Sequence, residues 1–444
     1  MGYPSVFQPK SGSFHHPTLN NCLILAEQTT RSALFWLPTD RTRDLMTLAK
    51  KARFPIGHEI TLAELDRDPY PAFARLRERE PISWIPAVNM WYIVGYEDVR
   101  RALLDTTRMS TASAQSTIFD TFGAQVLTTE GATHDRYRQA LRHPFTPTFI
   151  RAHLEPAIVA AATALIDQLQ KHGLADLRSE FARRLPIQVI LLICGLPVDA
   201  EPHMRRWYDS FEAALANFSG VESIRMAAQR SVAEFHTLLD TAIDSVRHAD
   251  GSLLARLVNA PANERLADDE IKRNLAIVFF GGISTVEALV LNSLWAMFEH
   301  ADVLERAQRD VTILPQVIEE TMRWLSPVQS ATRHVTEPFE WQGIEFSSQE
   351  TVNCMLGAAN RDPSIFVDPD RFDLHRANSR RHLGFATGAH ACLGSHLAKA
   401  EVAIGLETLL SRLHNIRLER SLTAPPSGYE FRQPRKLTVS WDPK

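Results

Sequence analysis

Between Leu275 and Phe298 the chain is apolar apart from one formal charge, Glu287. A run this long suffices to cross a bilayer, so it predicts either a membrane span or a helix buried in a large protein. Its centre carries Gly281-Gly282-Ile283-Ser284-Thr285, its flanks are charge-rich and no second span is evident, which favours the buried central helix. Asp268-Asp269-Glu270 reads as the start of that helix. Each glycine costs roughly 1 kcal/mol relative to alanine inside a helix, so their small size implies close approach of another group. Thr285, one turn on, can hydrogen-bond back to the backbone and open the helix locally.

A helix of that kind needs a large protein around it, and 444 residues can bury one. With 45% apolar residues, 23% charged and a net charge of −4, the composition is that of a soluble globular protein, with no basic excess for nucleic acid or a membrane surface. Cys22, Cys194, Cys354 and Cys392 lie far apart without a C-x-x-C pair, which suits a reducing compartment. Residues 1–45 are rich in Ser, Thr, Asn and Pro, and their apolar patch from Cys22 to Leu37 contains Glu27 and Arg31, so neither a signal peptide nor a membrane anchor is predicted. We expect 1–45 to be a poorly ordered extension, Met46 to be the natural start, and 46–444 to form a single catalytic domain.

The remaining pattern predicts a mainly α fold with minor β-sheets. Leu62 to Glu80 reads as helix, and Ile82-Ser-Trp-Ile and Trp91-Tyr-Ile-Val read as short strands around a turn. Thr106 to Glu130 is a long Ser/Thr/Ala-rich loop holding Ile118 and Phe119. His134 and Arg138 fall at i and i+4, hence on one helix face, where they form either a solvated basic face or a carboxylate clamp. Further helical patterns cover Ile158–Leu169, Leu185–Cys194, Met204–Phe218, Ile224–Arg247 and Pro315–Leu325, the last carrying Glu320 and Arg323 at i, i+3. Ser330–Val335 and Thr351–Met355 read as strands, and Gly428–Phe431 with Leu437–Trp441 as a terminal hairpin.

The second landmark is Phe385-Ala-Thr-Gly388-Ala-His390-Ala-Cys392-Leu-Gly394, followed by Ala398, Val402, Leu406, Leu409, Leu410 and Leu413 at helical spacing. A cysteine just before a helix N-terminus is biased toward thiolate. Three uses fit it: a buried structural cysteine, a zinc or copper site with His390 and His396, or an axial thiolate on haem iron. The zinc trio lacks the usual paired-cysteine spacing.

Phe-x-x-Gly-x-His-x-Cys-x-Gly resembles the haem-binding signature of the cytochrome P450 family, and similarity runs from about Pro69 to Trp441. The resemblance implies a soluble bacterial haem-thiolate monooxygenase holding haem b (iron protoporphyrin IX). Cys392 takes the place of the metal ligand, within a cofactor-binding set of His134, Arg138, Arg333, Phe385, Gly388, His390 and Gly394. It also implies a buried ion network of Glu320, Arg323 and Arg371. Gly281 to Thr285 resembles the oxygen-activation motif, with Gly281, Ser284 and Thr285 as catalytic positions. Here the sequence departs from the family: Ser284 stands where an acid is usual and Val286 follows Thr285. Glu287 is roughly 200° around the helix from Thr285 and cannot replace that acid on the same face. The departure keeps open an alternative, a peroxide-using or non-oxygenating haem-thiolate enzyme.

By the same resemblance the protein inserts one atom of O2 into a mostly apolar small organic substrate. Electrons come from NAD(P)H through a ferredoxin reductase and a ferredoxin, and Arg136, Arg142, Arg380, Arg381 and Lys399 offer a basic docking face. Ile118, Phe119, Ile277, Phe280, Gln329 and Tyr429 are the expected pocket contacts. A cytoplasmic monomer without a membrane anchor or nucleic-acid partner is expected.

Overall fold

The computed structural model describes residues 52–217, 220–246 and 251–443. The expected extension 1–45, with Met46, lies outside the described residues. The chain divides into two units, Met1–Pro55 and Ile56–Lys444. The second unit is mostly helical with small sheets.

The apolar run is a buried helix. It spans Asp268–Glu299 (α5) and comes after the helices Gly131–Leu141 (α1), Glu155–Leu169 (α2), Arg184–Cys194 (α3) and Glu201–Leu215 (α4). Its first turn is acidic, and Glu270 accepts the Ala267 backbone N–H at 2.9 Å, satisfying a donor the helix leaves open. Most of α5's apolar window, 78%, is buried inside the protein, so the membrane reading fails for a packing reason. A second stretch, Pro147–Leu169, also passes the length and hydropathy test, contrary to the sequence reading. Its α2 portion buries Ile158, Ala162, Leu165, Ile166 and Leu169 as one stripe, packed on the helix Ser395–Arg412 (α7) that comes after the cysteine loop.

α7 is close to α3 as well. A Cβ at Gly405 would stand 3.0 Å from Leu185 Cδ2, so the glycine lets these helices approach. Gly282 plays the same part on α5, where a Cβ would stand 3.0 Å from Ile190 Cδ1 of α3. The close approach expected at this glycine is therefore to another helix.

The principal sheet contains Ile82–Ile85 (β1), Met90–Ile93 (β2), Met109–Ser110 (β3), Ala331–Val335 (β4) and Thr351–Cys354 (β5), in the order β1-β2-β5-β4-β3. β4 and β5 are antiparallel with Thr332 opposite Asn353 and Arg333 opposite Val352. The C-terminal segment differs from the predicted hairpin. Pro426–Ser427 pairs with Gln433–Pro434, while Thr438–Ser440 joins Leu174–Asp176 and Arg417–Leu418 in a separate sheet.

The buried ion network forms, with one member changed. On the helix Leu314–Trp324 (α6), Arg323 donates from Nε and Nη2 to Glu320 at 2.9 and 2.7 Å, and both side chains are fully buried. The second cation on Glu320 is Arg376, at 3.0 Å, not Arg371. Arg371 contributes its backbone carbonyl, which accepts from Arg323 and Arg376, while the residue itself is exposed. The Asp-Arg-Phe sequence thus carries the bend that receives the arginines, and its own side chain is not needed there. Breaking a buried pair strands a charge, so Arg376→Ala should cost about 3–5 kcal/mol in denaturant unfolding and Arg371→Ala under about 1 kcal/mol.

Candidate active site

A cavity of about 400 Å³ lies between α5 and the cysteine loop, lined among others by Gly281, Thr285, Phe385, His390, Cys392 and Gly394. The loop is shaped by the Cys392 N–H donating to the Phe385 carbonyl at 2.9 Å and the Ala391 N–H donating to Gly388 at 3.1 Å. Gly388 has φ +79°, and a Cβ there would meet Leu104 Cδ2 at 3.1 Å and the Leu103 carbonyl at 3.2 Å. It is a turn residue packed on a neighbouring helix end and does not line the cavity.

Cys392 opens onto the cavity. Burial of its surroundings pushes the thiol up, while the Gly394 N–H and the charges of Arg138 and Lys399 act in the opposite sense. The expected thiolate bias is therefore outweighed by desolvation in the protein alone. Among the described residues no group of three or more His, Cys, Asp or Glu side chains is placed to hold a metal ion, so the trio of His390, Cys392 and His396 is not assembled as a site.

One end of the cavity is basic. His134 and Arg138 project from α1, Arg333 from β4 and His390 from the loop. The His134 and His390 rings meet with centroids 4.5 Å apart. Arg138 donates to the Ala391 carbonyl at 2.9 Å, which ties α1 to the loop. His134 Nε2 and Arg333 Nε and Nη2 are buried without a hydrogen-bond partner, and burial lowers the Arg333 pKa. Buried donors in such numbers call for an acceptor, and a ligand carboxylate is the group that fits. His390 Nε2 is already engaged, 3.0 Å from Glu130 and 3.2 Å from the Thr111 hydroxyl. Burial pushes the Glu130 carboxyl up, but hydrogen bonds from His390 and Thr111 bring it down to about 2. Glu130 escaped sequence reasoning because it ends a long loop with no periodic pattern.

α5 presents two faces. Gly281 and Thr285 face the cavity, where a Cβ on Gly281 would meet nothing within 4 Å. The Thr285 hydroxyl donates to the Gly281 carbonyl at 2.7 Å, the back-bond its position predicts. Ser284 is buried, does not line the cavity, and lies beside the Tyr208 hydroxyl of α4. One residue is about 100° of helix, which takes Ser284 off the face occupied by Thr285. Glu287 shares Ser284's side and is held by Arg178 at 2.7 Å and Arg183 at 3.0 Å.

The pocket contacts divide in the same way. Ile118, Ile277 and Phe280 line the cavity. Phe119, Gln329 and Tyr429 do not: the lining residues are instead Ile118, Val328 and Ser330, and Glu430 and Phe431. Gln329 is buried with its amide donating to the Ser326 carbonyl at 2.7 Å, and Tyr429 packs on the cluster containing Tyr92 and Met355.

Two cavity carboxyls, Glu401 and Glu430, carried no sequence signal beyond an acid in an apolar pattern. Burial pushes the Glu401 carboxyl well above its ordinary range.

A family profile described as Cytochrome P450 matches residues 216–425. The chain is 31% identical over 373 residues to the cytochrome P450 monooxygenase PikC of Streptomyces venezuelae, covering 80% of this chain and 86% of that protein. It is 28% identical over 370 residues to 6-deoxyerythronolide B hydroxylase of Saccharopolyspora erythraea, covering 79% and 90%. The crystal structure of CalO2 superimposes with a TM-score of 0.79 at 26% identity, covering 86% of this chain and 99% of CalO2.

The two glycine environments have opposite consequences. Gly388→Ala should lower stability by about 1–2 kcal/mol, because a left-handed residue acquires a Cβ. Gly281→Ala should leave stability unchanged or raise it by up to about 1 kcal/mol while intruding on the cavity. Thermal unfolding of both variants checks the pair.

Proposed function

The chain belongs to the cytochrome P450 family, a haem-thiolate monooxygenase of bacterial type, and from that premise we propose that it binds haem b and oxygenates a mostly apolar small molecule in the cytoplasm. The observation that carries this reading is the convergence of Cys392, Thr285 and the partnerless donors of His134 and Arg333 on one cavity.

The residues fit the group. Cys392 would supply the sulfur ligand, and His134, Arg138 and Arg333 would hold the propionates, with His390 braced by Glu130 alongside. The haem, when bound, supplies the electron-transfer and dioxygen chemistry by which one oxygen atom enters the substrate. The protein's share is position and proton management. Thr285 keeps its own proton on the Gly281 carbonyl, which leaves the hydroxyl oxygen able to accept a hydrogen bond from the cavity side. Ile277 and Phe280 with Phe431 furnish apolar walls that orient substrate and exclude water. Ser284 and Glu287, turned toward Tyr208 and two arginines, hold the back of α5.

Electrons arrive, in this reading, from NAD(P)H through a ferredoxin and its reductase. Arg142, Arg380 and Arg381 are exposed and suit an acidic partner, whereas Arg136 is paired with Glu270 and Lys399 with Glu319.

Reduced holoprotein under carbon monoxide should give the red-shifted Soret band of a haem thiolate, and Cys392→Ser should abolish it. His134→Ala with Arg333→Ala should lower retained haem per protein several-fold, measured by pyridine haemochrome, because the two sites hold the propionates. Thr285→Ala should retain haem and divert NAD(P)H consumption to peroxide, since the hydroxyl that manages the proton is gone. Full coupling in that variant would remove Thr285 from the proton path.

A further inference from the structure

Several buried carboxyl groups in this protein are held by cations. Glu287 and Glu320 each have two arginines, Glu201 has Arg184, and Glu319 has Lys399 with His382 beside it. Such pairing is what a low-dielectric interior demands of a charge. Glu80 and Asp362 are held by backbone N–H and hydroxyl groups away from the cavity; Glu430 has neutral partners of the same kind but a different position. It lines the cavity, no Lys, Arg or His pairs with it among the described residues, and its oxygens are held by neutral donors only. Ser330 donates to Oε2 at 2.6 Å and Asn353 donates to Oε1 at 3.2 Å. Asn353 Oδ1 in turn accepts from the Thr332 hydroxyl at 2.8 Å, so Ser330, Thr332, Asn353 and Glu430 form one polar corner.

That corner is built on β4 and β5 and is linked to α5 through the residue after Glu430. The strand bridge between Val328 and Phe431 fixes the segment after α6 against the chain at Glu430. The Gln329 N–H donates to the Glu430 carbonyl at 2.8 Å. Phe431 meets Phe280 edge to face at 5.6 Å, immediately before Gly281. Glu430 forms no ion pair with His134, Arg138, Arg333 or His390, and its neighbour Phe431 brings it beside the apolar wall at Phe280.

We infer that Glu430 is a specificity-determining residue that anchors a cationic amine, so that the preferred substrate is an apolar skeleton bearing a protonated aliphatic nitrogen. Two neutral donors prepare the carboxyl for a negative charge, and the missing component is the counter-cation, which an ammonium group supplies with its own hydrogen bond. A substrate carboxylate is disfavoured by like charge, and an alcohol leaves the buried charge unbalanced. Burial raises Glu430 to about 7, against the Ser330 and Asn353 hydrogen bonds, so the group changes charge near neutrality. The titratable groups that face it are the phenols of Tyr92 on β2 and of the adjacent Tyr429, both raised by burial and further by Glu430. Neither supplies a cation.

This inference rests on the monooxygenase reading for what happens to the bound molecule, and its test is separable. Holoprotein is titrated with N,N-dimethyldodecylamine, 1-dodecanol and dodecanoate by isothermal calorimetry, with the Soret band followed in parallel. The amine should bind about tenfold or more tightly than the alcohol at pH 8, the advantage of a charge-assisted over a neutral contact. Its affinity should rise as pH climbs through about 7, where the carboxyl becomes charged. Glu430→Gln should bring the amine to within about threefold of the alcohol, and Ser330→Ala, which keeps the acid, should retain the preference for the amine. No saturable amine binding, equal affinity for amine and alcohol, a preference for dodecanoate, an unchanged preference in Glu430→Gln, or a red Soret shift reporting nitrogen on iron would each overturn the inference. A missing haem-thiolate carbon monoxide band overturns the monooxygenase reading instead.

Discussion

A helix enclosed on every side cannot carry a bare charge, and that constraint sets the orientation of α5. Glu287 is fully buried midway along it and is bound by Arg178 and Arg183, whose segment runs into α3, while Arg183 also reaches Asp209 of α4 at 3.0 Å. Removing either arginine would leave uncompensated charge in low dielectric, so the pairing fixes which way the helix is turned. With Glu287 and Ser284 held toward α3 and α4, the helical repeat delivers Gly281 and Thr285 to the cavity. The catalytic face is thus specified from behind, by residues that touch neither cofactor nor substrate.

The cysteine loop is fixed by a comparable logic from the other side. Gly388 supplies a left-handed turn against Leu104, Arg138 grips the Ala391 carbonyl, and α7 carries the loop into the core through Val402, Leu406 and Leu409. Glu320, Arg323 and Arg376 hold the preceding chain by its carbonyls at Pro369 and Arg371. These restraints come from separate parts of the sequence, which lets the sulfur and the Thr285 hydroxyl keep their places while the substrate end varies.

How much of the molecule was legible in the sequence depends on how local each signal is. The central helix, the cysteine turn and the pair at Glu320 and Arg323 are set by near neighbours in the chain, through periodicity, glycine conformation or i, i+3 spacing, and they stand close to where the pattern puts them. Arg376, Glu130 and the partners of Glu287 depend on contacts between distant segments, for which one chain offers no period to read. Gln329 and Tyr429 stand one place from the cavity-lining Ser330 and Glu430, because the Gln329 amide is taken up by the Ser326 carbonyl and Tyr429 packs on the cluster with Tyr92, contacts that one chain gives no period to read.

The buried acids then separate by what each segment can offer them. Glu287 and Glu320 meet arginines and serve the scaffold as charged groups. Glu401, with one carboxyl oxygen lacking any partner, is driven toward the neutral acid and acts as a polar filler on the cysteine side. Glu430 lies between these cases, with donors that favour charge and no cation to complete it. An acid held by neutral donors at the wall of the cavity has its unmet charge where a ligand can meet it. In the proposed reading the family's chemistry falls to the cysteine and threonine faces and the selectivity of this chain to that polar corner.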